Sequence, residues 1–218
     1  MTDHGALYGA IDFYREATAR GIKPIIGLEA YVAPGSRHSR ERGDSSPYHL
    51  VMLARNMTGY KNLIALTTKA NLEGYYYKPR IDRELIEKHS EGITVLSACP
   101  SAEFHRRIQE GDREGAMAVA RYYREVFDGH YYLEVQDHGD EKFTRLNPVI
   151  ADIGREMGIK VVATNDSHFT MPDEAEAHDV LLCIGTNATG EQSGRYKFDG
   201  QGYWVKSEAE MRTLFPDN

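Results

Sequence analysis

The sequence predicts an α/β fold that can close as a (β/α) barrel, and three observations carry that reading. Short β-rich segments alternate with segments of helical periodicity along most of the chain. No repeat, low-complexity run or linker interrupts the alternation. The 218 residues suit one sizeable core, so positions 1–218 read as a single domain.

Each element has its own signal. Leu7, Ala10, Ile11 and Tyr14 recur at helical spacing, which predicts a helix over 6–20 that Gly21 stops. Residues 24–32 read as a strand, in which Ile26, Leu28, Ala30 and Val32 form one apolar face and Glu29 takes the other. The polar stretch 34–47 reads as a mobile loop. A strand over 49–54 and a helix over 60–70 follow. Asp82 is the expected N-cap of a short helix through Lys88. A strand over 93–97 runs out into Ala98-Cys99-Pro100. Ala116, Val119, Ala120, Tyr123 and Phe127 mark an amphipathic helix, and a strand is expected over 131–135.

Asn147-Pro148 predicts a helix start, since proline at the first helical position loses no hydrogen bond; Gly158 ends that helix after Met157. A strand over 160–164 leads into Asn165-Asp166-Ser167-His168. A helix follows Asp173, and Ser207 with Glu210 makes a capping box for a last helix stopping at Pro216. In a barrel of this kind functional residues gather at strand ends. His49 instead begins its strand, which predicts a local antiparallel hairpin with the strand carrying Glu29.

Composition narrows the function classes. Lys and Arg number 26 against 33 Asp and Glu, a formal charge of −7 that suits a cation-binding pocket better than a surface gripping duplex DNA by itself. No apolar run is long enough to span a bilayer. The N-terminus has neither the basic nor the apolar region of a signal peptide, so a cytoplasmic location is expected. The two cysteines, Cys99 and Cys183, form no close-spaced motif and fit a reducing compartment.

Six residues spread along the chain, His4, Glu29, His49, Cys99, Asp166 and His168, could each ligate a divalent transition metal when deprotonated. Asp166 and His168 stand two apart just after an apolar strand, an extended spacing that would aim both side chains the same way. Glu29 lies inside a strand and needs a partner or a metal if buried. Taken singly, a strand-end Asp or His more often caps a turn, and a lone Cys is more often a small buried hydrophobe. His38, His89, His105 and His130 sit in polar or helical contexts and receive no role, and His178 reads as a packing histidine.

Longer segments carry a family resemblance. Thr2-Asp3-His4-Gly5, the run 21–31 from Gly21-Ile22-Lys23-Pro24 to Glu29-Ala30-Tyr31, and Tyr48-His49-Leu50-Val51 resemble PHP (polymerase and histidinol phosphatase) domains of bacterial replicative DNA polymerase III α subunits. So do Tyr76-Tyr77-Lys78-Pro79-Arg80-Ile81-Asp82, Leu96-Ser97-Ala98-Cys99-Pro100, Gln136-Asp137-His138-Gly139, Ala163-Thr164-Asn165-Asp166-Ser167-His168 and Glu174-Ala175-Glu176-Ala177-His178-Asp179. The similarity runs in order from Thr2 to about Phe215. It implies a distorted PHP-type (β/α) barrel and a parent protein that is a DNA-directed DNA polymerase, a nucleotidyltransferase of DNA replication. It makes His4, Glu29, His49, Cys99, Asp166 and His168 members of a cluster binding divalent metal (Zn, Mn or Fe) that removes 3′-terminal nucleotides. Asp3 would steady a neighbouring ligand, and Tyr77, Lys78 and Arg80 could stack on and grip single-stranded DNA. Implied partners are the DNA 3′ end and other replicase subunits, among them a proofreading exonuclease subunit. The family's first His-x-His motif, with its strand and helix, is expected upstream of Thr2, so the sequence reads as a fragment with an incomplete barrel and site. A non-catalytic scaffold that docks a proofreading subunit and a free-standing PHP phosphoesterase are the alternative readings.

Overall fold

The computed structural model describes residues 1–198, 200 and 202–216. It divides into two units, Met1–Leu133 and Glu134–Asn218. Both mix helix and strand, as the alternating pattern predicts.

The first unit is organised by strand β1 (Thr2–His4), helix α1 (Ala10–Ala19) and strand β2 (Gly27–Val32). Three residues are too few to show alternation, and β1 is not among the strands the pattern predicts. Helix α1 begins later than expected, at Ala10, and Gly21 follows it in the left-handed region at φ 69°. Every residue of β2 is buried, because it is flanked on both sides. On one side it runs parallel to β1, with His4 opposite Glu29. On the other it pairs antiparallel with β3 (Tyr48–Ala54), with Tyr31 opposite His49, so the predicted hairpin is present.

Helix α2 (Met57–Leu72) starts on an Asn56 side chain that accepts from the Gly59 N–H. Strand β4 (Arg80–Ile81) continues the β1 side of β2, and Asp82 caps α3 (Arg83–Lys88) as expected by accepting from the Leu85 N–H. Strand β5 (Ile93–Leu96) lies antiparallel to β3. Helix α4 (Glu103–Gln109), which the periodicity did not reveal, is followed by α5 (Arg113–Val126) and by β6 (Tyr131–Val135), whose first residues run parallel to β5. Met52, Leu63, Leu66, Ile86, Val95, Ala116 and Ala120 are all fully buried in this unit.

The stretch read as a mobile loop has little regular structure apart from a 3₁₀ turn at Arg42–Ser45, but it is fastened. Arg37 is buried, donating to Asp82 at 2.9 Å, Glu73 at 2.8 Å and Glu84 at 3.0 Å. Burial works against the charged guanidinium, yet the three carboxylates outweigh it and hold Arg37 above its ordinary pKa. Lys88, then Arg37, pull Glu84 down to about 2.

The division between the units falls within β6. The second unit contains α6 (Glu141–Met157), β7 (Val161–Ala163), α7 (Ala175–Thr186) and α8 (Glu208–Leu214). Thr164, just past β7, donates its N–H to Val135. Helix α6 begins six residues before the predicted Asn147 start, on the Asp140 side chain, and leaves Pro148 inside it. Proline costs one backbone hydrogen bond there. The amphipathic face carrying Phe143, Leu146, Ile150 and Ile153 holds the helix together across that gap. Gly158 ends the helix in the left-handed region at φ 63°, and the Ser207–Glu210 capping box opens α8, both as predicted. No described helix is long and apolar enough to cross a membrane.

Candidate metal centre

Sheet register gathers the first group of candidate ligands. His4 and Glu29 are directly opposite across β1 and β2, and Tyr31 is opposite His49 across β2 and β3. Because side chains alternate along a strand, Glu29 and Tyr31 share a face, and the cross-strand pairing brings His4 and His49 to it. The donor atoms of His4, Glu29 and His49 all lie within 4.8 Å of one another. Glu29 is only 5% exposed, and its two oxygens face different imidazoles: Oε1 is 2.7 Å from His49 Nδ1, and Oε2 is 3.7 Å from His4 Nε2.

Cys99 joins them from beyond the end of β5. Ala98 adopts φ 59°, a turn that breaks strand alternation, and the Cys99 sulfur stands 3.4 Å from His49 Nδ1. His4, Glu29 and His49 are donor groups that could hold a divalent metal, and the Cys99 thiol stands beside one of them. Gly5 permits the close packing after His4: its φ is 63°, a Cβ there would meet Pro79 Cγ at 2.7 Å, and its N–H donates to the Glu29 carbonyl.

Tyr31 is the residue of this group that sequence reasoning passed over. Its ring stacks on His4 with centroids 5.8 Å apart and meets His49 edge-on at 5.3 Å, so it limits how either imidazole can turn. Its spacing of two from Glu29 in a strand was the available signal. Lys78 is exposed, with its ammonium 5.5 Å from the Tyr31 ring centroid, and Tyr77 is 70% exposed.

Asp3 and Arg80 make contacts away from the ligand group. Asp3 lies on the other face of β1 from His4, and its Oδ2 accepts from the Gly9 N–H just ahead of α1. Arg80 is fully buried and donates to the carbonyls of Gly74, Arg37 and Ser39. Its guanidinium is committed to holding loops together and does not reach out to a nucleic acid.

Asp166 and His168 form a pair in the second unit, with Oδ1 and Nε2 3.5 Å apart. The geometry differs from the extended one the spacing suggested. Asp166 is left-handed at φ 42°, and the loop is held by the segment 202–206. His168 N–H donates to the Tyr203 carbonyl at 2.8 Å, Asn165 Nδ2 donates to the carbonyls of Gly202 and Trp204, and Ser167 Oγ donates to Trp204. Lys206 donates to Asn165 Oδ1 at 2.9 Å. His138 stacks on Tyr203 with centroids 3.8 Å apart, and burial pushes its imidazole below its ordinary pKa.

Residues 1–138 match the PHP domain family. The chain belongs to that family. The PHP chain is also 43% identical, over 97% of its length, to the DNA polymerase III subunit alpha of Saccharopolyspora erythraea. It is 42% identical over its full length to the subunit of that name from Thermus aquaticus, and 44% identical to that from Mycobacterium tuberculosis. The chain spans about a fifth of the length of these curated relatives, 20%, 18% and 20% respectively.

Proposed function

We propose that this PHP chain serves a bacterial replicative DNA polymerase as a metal-dependent 3′–5′ exonuclease module acting on single-stranded DNA ends. The observation that carries the proposal is Glu29: a buried carboxylate shared by two imidazoles, with a thiol beside one of them. A carboxylate so buried needs positive charge, and a divalent cation supplies it most simply. His4, Glu29, His49 and Cys99 would hold a metal, with Zn, Mn and Fe the candidates the donor set favours. Asp166 and His168 would form a further ligand pair within the second unit.

When bound, the metal would activate water and offset charge on the phosphodiester under attack. The bond broken is that between phosphorus and the 3′ oxygen of the penultimate nucleotide, which yields a nucleoside 5′-monophosphate and a new 3′-hydroxyl. The chain's own residues do the positioning. Tyr31 restrains both imidazoles, and Lys78 offers an exposed cation beside them for the strand's phosphates, with Tyr77 as a stacking surface. The acidic balance of the chain fits a module that acts on an end delivered by other parts of a replicase in the cytoplasm.

The test is release of 3′ nucleotides from a labelled single-stranded oligonucleotide, with Mn²⁺ or Zn²⁺ and with chelator. Metal-dependent release that Glu29→Gln abolishes supports the proposal. Undiminished release by Glu29→Gln contradicts it, and absence of metal binding with no release would favour the scaffold alternative.

A further inference from the structure

The second unit holds a cavity of about 320 Å³. Its walls include Phe169, His178, Leu182, Phe198 and Tyr203, and Lys197 stands exposed at its edge. The rings form one continuous cluster. Phe198 is 5.0 Å from His178 and 4.7 Å from Tyr203, and His178 is 5.5 Å from Phe169, centroid to centroid. The same Phe198 ring meets His168 edge-on at 4.6 Å. One aromatic ring therefore separates the cavity from a candidate metal ligand.

We propose that this cavity seats the base of the 3′-terminal nucleotide, an inference that rests on the exonuclease reading. Three features point to a nucleobase. The volume lies in the range of small-molecule sites, at the small end of roughly 300–1,000 Å³. The rings of Phe169, His178, Phe198 and Tyr203 on the lining offer stacking surface that any base can use, since every base has a π-face. The polar groups are divided by charge. Asp179 is occupied by Arg195, which donates to both of its oxygens at 2.7 and 2.5 Å, and Glu176 is exposed on the lining. Lys197, whose charge is also felt by Asp179, is the lysine on the lining that a phosphate would meet, while carboxylates are poor neighbours for one. Base in the ring cluster, phosphate toward Lys197 and His168, is the orientation that satisfies both. His178, read from the sequence as packing, becomes part of the base seat in this account.

The experiment uses the 218-residue chain in the presence of a chelator, so that stacking is read apart from metal chemistry. Calorimetric titration compares dAMP with 2-deoxyribose 5-phosphate, which has the same sugar and phosphate and no base. The wild-type chain is expected to bind dAMP at least ~10-fold more tightly than the baseless ligand, the order of one good stacking contact. Phe198→Ala should lose that preference and Phe198→Trp should keep it. Equal affinity of the wild-type chain for the two ligands, or no binding of dAMP, overturns the proposal without need of any variant. A preference that survives in a folded Phe198→Ala overturns it too. The exonuclease reading is judged separately, by metal-dependent nucleotide release, so a chain that prefers dAMP but releases nothing sinks that reading and leaves the base seat standing.

Discussion

The two groups of candidate ligands are built by different physics. His4, Glu29 and His49 sit on neighbouring strands, where the backbone ladder sets their spacing and a one-residue slip would send each to the wrong face. Asp166 and His168 sit on a loop, with a left-handed residue between strand and helix and the side chains of Asn165, Ser167 and Lys206 fastening it to one segment. The strand-built group is rigid because the sheet is. The loop-built pair is only as well placed as its tethers, and substitutions that touch no ligand should distinguish the two.

The largest effect is expected at the shared carboxylate. Glu29→Gln keeps the shape and removes the charge, and should weaken Zn²⁺ or Mn²⁺ binding by about 100-fold or more in a calorimetric titration. A loss smaller than that of any single histidine variant would show that Glu29 is not the centre of the group. Next, Asp166→Ala with His168→Ala should weaken metal binding by at least ~10-fold, while His38→Ala with His89→Ala changes nothing measurable. Equal effects from the two double variants would remove Asp166 and His168 from the ligand set.

Smaller still is the tether effect that sharpens the comparison most. Asn165→Ala removes the donor to Gly202 and Trp204 and the acceptor for Lys206, and should lower metal-dependent nucleotide release by about 10-fold through misplaced ligands. An outer substitution on the sheet face away from the ligands, Asp3→Asn, keeps most of the Gly9 contact and should leave release within ~2-fold. If Asn165→Ala is equally silent, the loop does not depend on its tethers.

The smallest expected effect is on stability against pH. Burial holds His89, His138 and His178 below their ordinary pKa in the folded chain. Unfolded imidazoles take up protons near pH 6.5, before these folded ones do, so the unfolded state binds more protons as pH falls through that point. The stabilising contribution is therefore complete above about pH 7 and declines below about 6.5. Thermal unfolding of the metal-free chain should show a midpoint that falls between pH 7.5 and 5.5. A midpoint that rises over that interval would contradict the neutral assignment.

Much of the first group was legible in the sequence because strands carry a period of two. An acidic residue inside the apolar run 26–32 and a histidine opening the next strand together suggested a hairpin, and the register bears it out. What was not legible follows from where local pattern loses its meaning. Asp3 and His4 are adjacent in sequence but face opposite ways, so the similarity of the Thr-Asp-His-Gly segment could not say that only His4 points to the carboxylate. Arg80 read as a nucleic-acid contact because it lies in one tyrosine-rich basic run with Tyr77 and Lys78, yet two of its hydrogen bonds go to carbonyls some 40 positions upstream, which no short window contains. Pro148 misled for a related reason: its local preference marks a helix start, and burial of the α6 apolar face overrode it. The ring cluster around Phe198 had no such signal, since rings from separate segments meet only in the folded chain.

The central claim is that Glu29, His4, His49 and Cys99 hold one metal between them, and its most direct test is X-ray absorption on the chain loaded with less than one equivalent of Zn²⁺. The account predicts a shell of nitrogen and oxygen ligands at about 2.0–2.1 Å with one sulfur at about 2.3 Å. The sulfur contribution should vanish in Cys99→Ser, and the zinc should be lost in Glu29→Gln. A shell without sulfur in the wild-type chain, or a spectrum unchanged by both substitutions, would place the metal elsewhere and contradict the account.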